Sequence, residues 1–406
     1  MFFLESVKLA LDTLRSHKLR SFLTLLGVII SVTTLIAVVS VIEGMNRYIG
    51  ERVANLGSNS ITITRFGVIT SAKAWLDAQK RRVITMEDYQ WIRANLKVGQ
   101  DAAAQSWSRT DIKAGNQSLQ EVGVRGATPN MINIGQEQVD QGRYITESDY
   151  QRRGYVAFVG KDISDQLFPG LNALGKEINF KGQTFQIIGI AKPMGSVFGQ
   201  SQDNFVIIPL TTHLKMFQTR FTSVSIVVQA RRMDLMQDTE DEGRMLMRVR
   251  HHLAYDAKDD FGIVTSDTIM TLWKNLTGTI AAVAVGVTSI FLVVGGIVIM
   301  NIMLASVTER TQEIGIRKSL GARRRDILLQ FLVEAATLST AGGVMGVLVA
   351  WIGTKLMSTF TAIPSALPIP AVITAVTVSA AVGLFFGIYP ANKAARLDPI
   401  VALRAD

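Results

Sequence analysis

The stretch TERTQEIGIRKSLGARRRD, residues 308–326, sits between two of the longest uncharged runs in the chain. Asn275–Thr308 before it holds no charged residue, and Ile327–Thr354 after it holds only Glu334. Two more runs, Ser21–Ile42 and Leu356–Asn392, are also uncharged. Each exceeds the roughly 20 apolar residues that a helix needs to cross a bilayer core. A charged fraction of 18% and a positive mean hydropathy agree with that reading. Between the first and second runs lies Glu43–Lys274, of ordinary soluble composition. The fold class that follows is a membrane protein of four transmembrane α-helices, with a large α+β extracytoplasmic domain inserted between helices 1 and 2.

The corresponding boundaries are an interfacial amphipathic helix over 1–18, helix 1 over 19–42, the inserted domain over 43–274, and helix 2 with a stalk extension over 275–308. A cytoplasmic loop over 309–326, helix 3 over 327–354, a short outer loop over 355–371, helix 4 over 372–392 and a cytoplasmic tail over 393–406 complete the chain. Orientation follows from the short flanks, where an excess of Lys and Arg marks the cytoplasmic side. Lys8, Arg15, Lys18 and Arg20 precede helix 1, six basic residues crowd the quoted loop, and Lys393, Arg396 and Arg404 end the chain, whereas the loop after helix 3 has only Lys355. Both termini and the quoted loop are therefore expected in the cytoplasm of a multi-pass membrane protein.

The net charge of +9 is mostly this topological signature, because charges in the inserted block nearly cancel, so no nucleic-acid partner is implied. The chain has no cysteine, which removes disulfides, thiolate metal sites and cysteine nucleophiles. The first apolar run is too long for a signal-peptide core, and its exit, IEGMN, lacks a small-x-small cleavage pattern, so it reads as an uncleaved anchor. Upstream, Phe3, Leu4, Val7, Leu11 and Leu14 share a helical face suited to the membrane lipid surface. The 34 residues of the second run would extend about 50 Å as a helix, beyond a hydrocarbon core of about 30 Å, so either part stands clear of the membrane or Asn275–Gly278 is a loop. Small residues four apart, Gly27 and Ser31, Ala282 and Gly286, Gly342 and Gly346, Gly383 and Gly387, suit tight helix packing or dimerisation.

In the inserted block, residues 60–64, 155–160, 177–190, 204–210 and 223–229 read as strands, and 85–96 and 234–253 as helices. Two lobes are expected, with breaks near 99–106 and after Gln229. GLNALGKE, residues 170–177, has phosphate-loop spacing up to its lysine but ends in Glu177 where a magnesium-binding Ser or Thr belongs, and strand-like residues follow it. A turn before a hairpin is the better reading. The adjacent His251 and His252 point about 100° apart on a helix, which suits an exposed helix end better than a metal site. Asp256, Asp259 and Asp260 lack calcium-loop spacing and read as solvated, and Ser201 lacks a nucleophile elbow. No catalytic or metal constellation emerges. Glu334, the one charge within a span, serves either helix packing or transmission.

The quoted loop is more telling. Thr308–Ile316 can continue helix 2 into the cytoplasm, with Gly321 as its terminating residue. A loop that merely sets topology needs basic residues but not the apolar Ile314, Ile316 and Leu320 interleaved among them, a pattern that suits docking of a cytoplasmic partner.

NIMLASVTERTQEIGIRKSLGARRRDILLQFLVEA, residues 301–335, closely resembles the signature of the MacB/FtsX-like family of ABC transporter permeases. HKLRSFLTLLGVIISV (17–32), NLGSNSITI (55–63), VRGATPNM and QGRYITESD (within 124–149) and YPANKAARLDPIVALR (389–404) extend the resemblance over nearly the whole chain, nearer to the MacB branch than to division-associated FtsX. The resemblance implies a homodimeric permease acting by mechanotransmission, coupled to a dimer of ABC ATPase domains through Glu309, Arg310, Glu313, Ile314, Ile316, Arg317 and Lys318. The chain itself would bind no cofactor; ATP and magnesium would sit on the ATPase, expected as a separate polypeptide. A periplasmic adaptor protein and an outer-membrane channel are the further partners implied, for efflux of drug, peptide or lipid-like substrates. The alternative the family allows is a non-transporting regulator that activates a cell-wall hydrolase or a signalling partner.

Overall fold

The computed structural model describes residues 18–55, 59–135, 137–197, 200–361 and 364–403. The interfacial helix expected over 1–18 lies, but for its last residue, outside them. The chain divides into a helical unit, residues 1–48 with 274–406, and a sheet unit, residues 49–273. The first described helix, α1, runs over Lys18–Asn55.

The sheet unit begins with β1 (Ser60–Thr64), α2 (Ala72–Gln79), α3 (Met86–Asn95) and a long hairpin, β2 (Gly99–Ala114) and β3 (Gln117–Ala127). Next come α4 (Met131–Ile134), β4 (Val139–Gly142), α5 (Glu147–Gln151), β5 (Val156–Val159), α6 (Lys161–Leu167), β6 (Glu177–Phe180) and β7 (Gln183–Ala191). A small ribbon of β8 (Ser196–Val197) and β9 (Gln200–Ser201) precedes β10 (Phe205–Pro209), α7 (Leu210–Phe217), β11 (Ser225–Ala230), α8 (Met236–Arg250) and β12 (Gly262–Val264). The main sheet has the order β12-β1-β11-β2-β3-β10-β5-β7-β4, with β6 bridging β2 and β7. All five expected strand regions are present. The chain leaves the sheet after Ala230, but a lobe break at 99–106 does not occur: those residues are the start of β2, paired to both β11 and β3.

Alternation along the central strands sends side chains to two faces. Ala102, Ala104, Ile226 and Val228 join one core cluster with Ile61, Ile63 and Ile92, while Val124, Val206 and Ile208 join a second on the same face with Ile163 and Phe185. Ala103, Phe158, Phe205, Ile207 and Val227 point to the opposite face, against Met131 and Tyr144. Because both faces are covered, β10 is buried at every position. Glu242, buried on α8, anchors the start of β2 by accepting the backbone N–H groups of Lys97 at 2.7 Å, Val98 at 3.0 Å and Gly99 at 2.9 Å. Gly170 and Gly175, with φ of +74° and +78°, build the turn that delivers the chain to β6, in keeping with the hairpin reading of 170–177.

His251, Asp259 and Asp260 differ from expectation, whereas Asp256 is exposed as expected. His251 is buried, with Nδ1 2.8 Å from Asp260 and Nε2 3.7 Å from Asp88, the latter an ion-pair distance rather than a hydrogen bond. Asp259 takes Arg244 at 2.7 Å and Arg248 at 2.5 Å, so it is a structural partner rather than a solvated charge. Asp88 caps α3 by accepting the Thr85 N–H at 2.8 Å and binds Arg250 Nε at 2.9 Å. Burial opposes the Asp88 charge, but His251, the Thr85 N–H and Arg250 outweigh it and hold the carboxyl well below its usual range. Asp88 in turn raises His251, against the effect of burial and with help from Asp260. A raised histidine stabilises the fold fully below its ordinary value of 6.5 and loses that contribution as pH rises through its higher folded value. The melting temperature of the purified chain should therefore fall as pH is raised from about 6 to about 9, and fall less in His251→Gln. Equal pH sensitivity of the two proteins would contradict this latch.

In the helical unit, α9 (Ser266–Glu309), α10 (Thr311–Ser319), α11 (Arg324–Phe360), α12 (Ile369–Ala395) and α13 (Pro399–Leu403) follow. Helices α1, α9, α11 and α12 are long and apolar enough to cross a membrane. The 44 residues of α9 pass through Asn275–Gly278 without a loop, for a length of about 66 Å. Six of the eight small residues noted above make close contacts within the chain. A Cβ at Gly27 would lie 2.8 Å from Gly295 Cα, one at Gly346 2.8 Å from Val32, and one at Gly383 2.5 Å from Ser339 Cβ. Gly342 faces Leu25 and Val28, Gly387 faces Ala335, and buried Ser31 donates to Gly27 O at 2.7 Å. Ala282 and Gly286 are exposed, with nothing within 4 Å of a Cβ at Gly286.

Candidate functional site: the 309–326 segment

Helix α9 does not continue into the loop as expected. It ends at Glu309, Arg310 leaves helical geometry with φ −102° and ψ +18°, and α10 begins anew at Thr311. At this break the buried carboxylate of Glu334 on α11 accepts Arg310 Nη1 at 3.2 Å. Alpha-ten then ends in a complete Schellman motif: Ala322 N–H bonds Arg317 O at 3.1 Å, Gly321 N–H bonds Lys318 O at 3.1 Å, and Gly321 adopts φ +97°. Glycine meets no Cβ clash at that angle, which is why the helix stops there. Asp326 accepts the Arg323 N–H at 3.1 Å and starts α11.

The seven residues singled out in this segment divide by face. Ile314 is buried in the core formed with Val307, Ile327, Phe331, Ala394 and Ala395, so it is no part of an exposed stripe with Ile316. Two residues apart on a helix lie about 200° around its axis, so Ile314 and Ile316 must face opposite ways. Lys318 also points inward and donates to Ala395 O at 2.7 Å and Leu397 O at 2.6 Å, capping the C-terminal end of α12. Burial, then the nearby charge of Arg324, pulls its ammonium below the ordinary range. Arg310 is committed to Glu334. Arg317 is half-buried, donating to Gln330 Oε1 at 2.9 Å and pairing with Glu313.

Glu309, Glu313 and Ile316 remain on the exposed side, joined by Gln312, Ser319 and Leu320. Ile316 is 50% exposed and Leu320 83%. Positions 309, 312, 313, 316, 319 and 320 follow i, i+3, i+4 spacing, a single stripe that periodicity would have revealed once the helix boundary at Thr311 was known. Arg323, Arg324 and Arg325, all exposed, lie just beyond it in the chain. Chemically this is a recognition surface, an apolar strip rimmed by charges of both signs, mounted on a short helix tied to its neighbours by Ile314, Lys318 and Arg310. Among the described residues, no three His, Asp or Glu side chains are grouped to hold a metal ion.

Residues 21–244 match the MacB-like periplasmic core domain, and residues 285–399 match the FtsX-like permease C-terminal domain. The chain is 31% identical over 402 residues to the macrolide export ATP-binding/permease protein MacB of Bdellovibrio bacteriovorus, a match that covers 99% of this chain but 62% of that protein. It is also 31% identical over 406 residues to the uncharacterized ABC transporter permease YknZ of Bacillus subtilis, covering 100% of both. Among solved structures, the periplasmic region of MacB from Actinobacillus actinomycetemcomitans covers 56% of this chain and 98% of that one, with 21% identity and a TM-score of 0.46. With a MacB-like core domain preceding an FtsX-like permease domain, the chain belongs to the MacB/FtsX family of ABC transporter permeases, proteins of the bacterial inner membrane.

Proposed function

We propose that this permease works by mechanotransmission, coupling a separate ABC ATPase in the cytoplasm to the extracytoplasmic sheet unit, with both termini cytoplasmic. The observation that carries the reading is the construction of α10: Ile316 and Leu320 are exposed on its outer side while Ile314, Lys318 and Arg310 fasten it to the core, α12 and α11. A force on such a helix is passed to three elements rather than absorbed by a loose loop. ATP and magnesium belong to the ATPase, whose closure would press on α10 and be carried along α9. A second copy of the chain would pack against the exposed small-residue face of α9 at Ala282 and Gly286.

The MacB relative is named for macrolide export, and efflux of drug, peptide or lipid-like substrates from the outer side of the membrane, through an adaptor protein and an outer-membrane channel, is the transport role this supports. Purification of the chain from its native membrane in mild detergent, with mass spectrometry of what accompanies it, tests the proposal. An ABC ATPase together with an adaptor protein is the expected result. An ATPase with a hydrolase or sensor kinase would move the function to regulation, and no ATPase would overturn it.

A further inference from the structure

The sheet unit holds a cavity of about 580 Å³ between α3, α4 and α5, within the size range of small-molecule sites. Its floor is fixed. Tyr89 and Thr128 are buried, and Asn130, whose Nδ2 bonds Asp101 at 2.7 Å and Ala102 O at 2.8 Å, is held rigidly. Its rim carries opposite charges that do not neutralise each other. Arg93 leans on Asp101, Nε to Oδ1 at 3.0 Å, which orients the guanidinium and leaves Nη2 without a hydrogen-bond partner among the described residues. Glu147 makes no ion pair among the described residues; one oxygen accepts Gln151 Nε2 at 3.0 Å. Tyr150 lines the cavity with them. Asn133 and Gln90 also line it, with side-chain amides that have no hydrogen-bond partner among the described residues.

We propose that this cavity binds a small zwitterion of amino-acid or dipeptide type. The carboxylate would take the free edge of Arg93 and the amide of Asn133, the ammonium would take Glu147, Gln90 would meet the peptide amide of a dipeptide, and the side chain would lie against the rings of Tyr89 and Tyr150. A ligand carrying only a carboxylate would leave Glu147 without an ion pair and one carrying only an ammonium would leave the outer edge of Arg93, already paired with Asp101 through Nε, unused, whereas one carrying both makes charge-assisted hydrogen bonds at each end. The site lies wholly within the sheet unit.

Isothermal titration of the detergent-purified full chain with free L-amino acids and dipeptides is the test, beside the same compounds N-acetylated or C-amidated. Saturable binding by at least one free compound is expected, weakened about tenfold by either blocking group. Glu147→Gln should weaken the free compound by a similar factor but leave its N-acetylated form unchanged, and Asn133→Ala should weaken both forms, with melting temperatures equal to wild type. The proposal is overturned if no free compound binds, if blocked compounds bind as well as free ones, or if both variants bind as wild type does. Should Glu147→Gln melt lower, Asn133→Ala and the blocked compounds still decide the matter.

Discussion

Arg310→Ala is expected to destabilise the helical unit by about 3 kcal/mol or more, because it strands a buried carboxylate. The Glu334 side chain is only 4% exposed and has Arg310 as its ion-pair partner at 3.2 Å. Removing one member of a buried pair is far costlier than removing both, so Arg310→Met combined with Glu334→Leu should recover most of the loss. Thermal melting in detergent separates these cases: the single variant should melt well below wild type, and the double variant close to it. A single variant as stable as wild type would mean that Glu334 finds water or another donor. The pair lies at the break between α9 and α10, so loss of coupling in a stable double variant would assign Glu334 to transmission as well as packing.

Ile316→Asp and Leu320→Asp should each reduce ATP-dependent coupling by about tenfold or more while leaving melting unchanged, since both side chains are exposed and neither supports the fold. Lys318→Met should do the opposite. It loses two hydrogen bonds to the end of α12, and its first effect is on stability, by about 2 kcal/mol. Reversing Glu313 and Arg317 together keeps their mutual pair but inverts the charges that a partner would meet. Full coupling in that double reversal, assembled in the membrane, would show that the partner does not read this face. Coupling is measured as stimulation of the co-purified ATPase in lipid nanodiscs.

Much of this architecture is legible in the residues themselves. Uncharged runs longer than a bilayer is thick mark the four membrane helices, and β-branched alternation marks SITIT and SVSIVVQ as strands. What is not legible has physical causes. The hairpin β2–β3 begins with GQDAAAQSWS, where Ala102, Ala103 and Ala104 are all fully buried because both faces of the sheet are covered. Small residues accepted on both sides erase the alternation that identifies a strand. The His251 latch is invisible because Asp88 is 163 positions distant and meets it only through folding. In the 309–326 segment, charge and apolar content single out the stretch but not which side chains face outward, because inward contacts such as Arg310 with Glu334 join residues on different helices. Ile314 and Lys318, read as outward from residue type alone, continue the helical spacing of buried Met303 and Val307 and face inward.

The most direct test of the coupling surface uses the absence of cysteine, which makes any introduced thiol the only one in the chain. Leu320→Cys, 83% exposed at the end of α10, and Phe360→Cys, 81% exposed at the far end of α11, are carried separately in native membranes and treated with a short cysteine-to-lysine cross-linker. A product between Leu320→Cys and an ABC ATPase, absent with Phe360→Cys, is the predicted result. If Leu320→Cys yields no ATPase product, or Phe360→Cys yields as much, α10 is not the surface on which the ATPase acts.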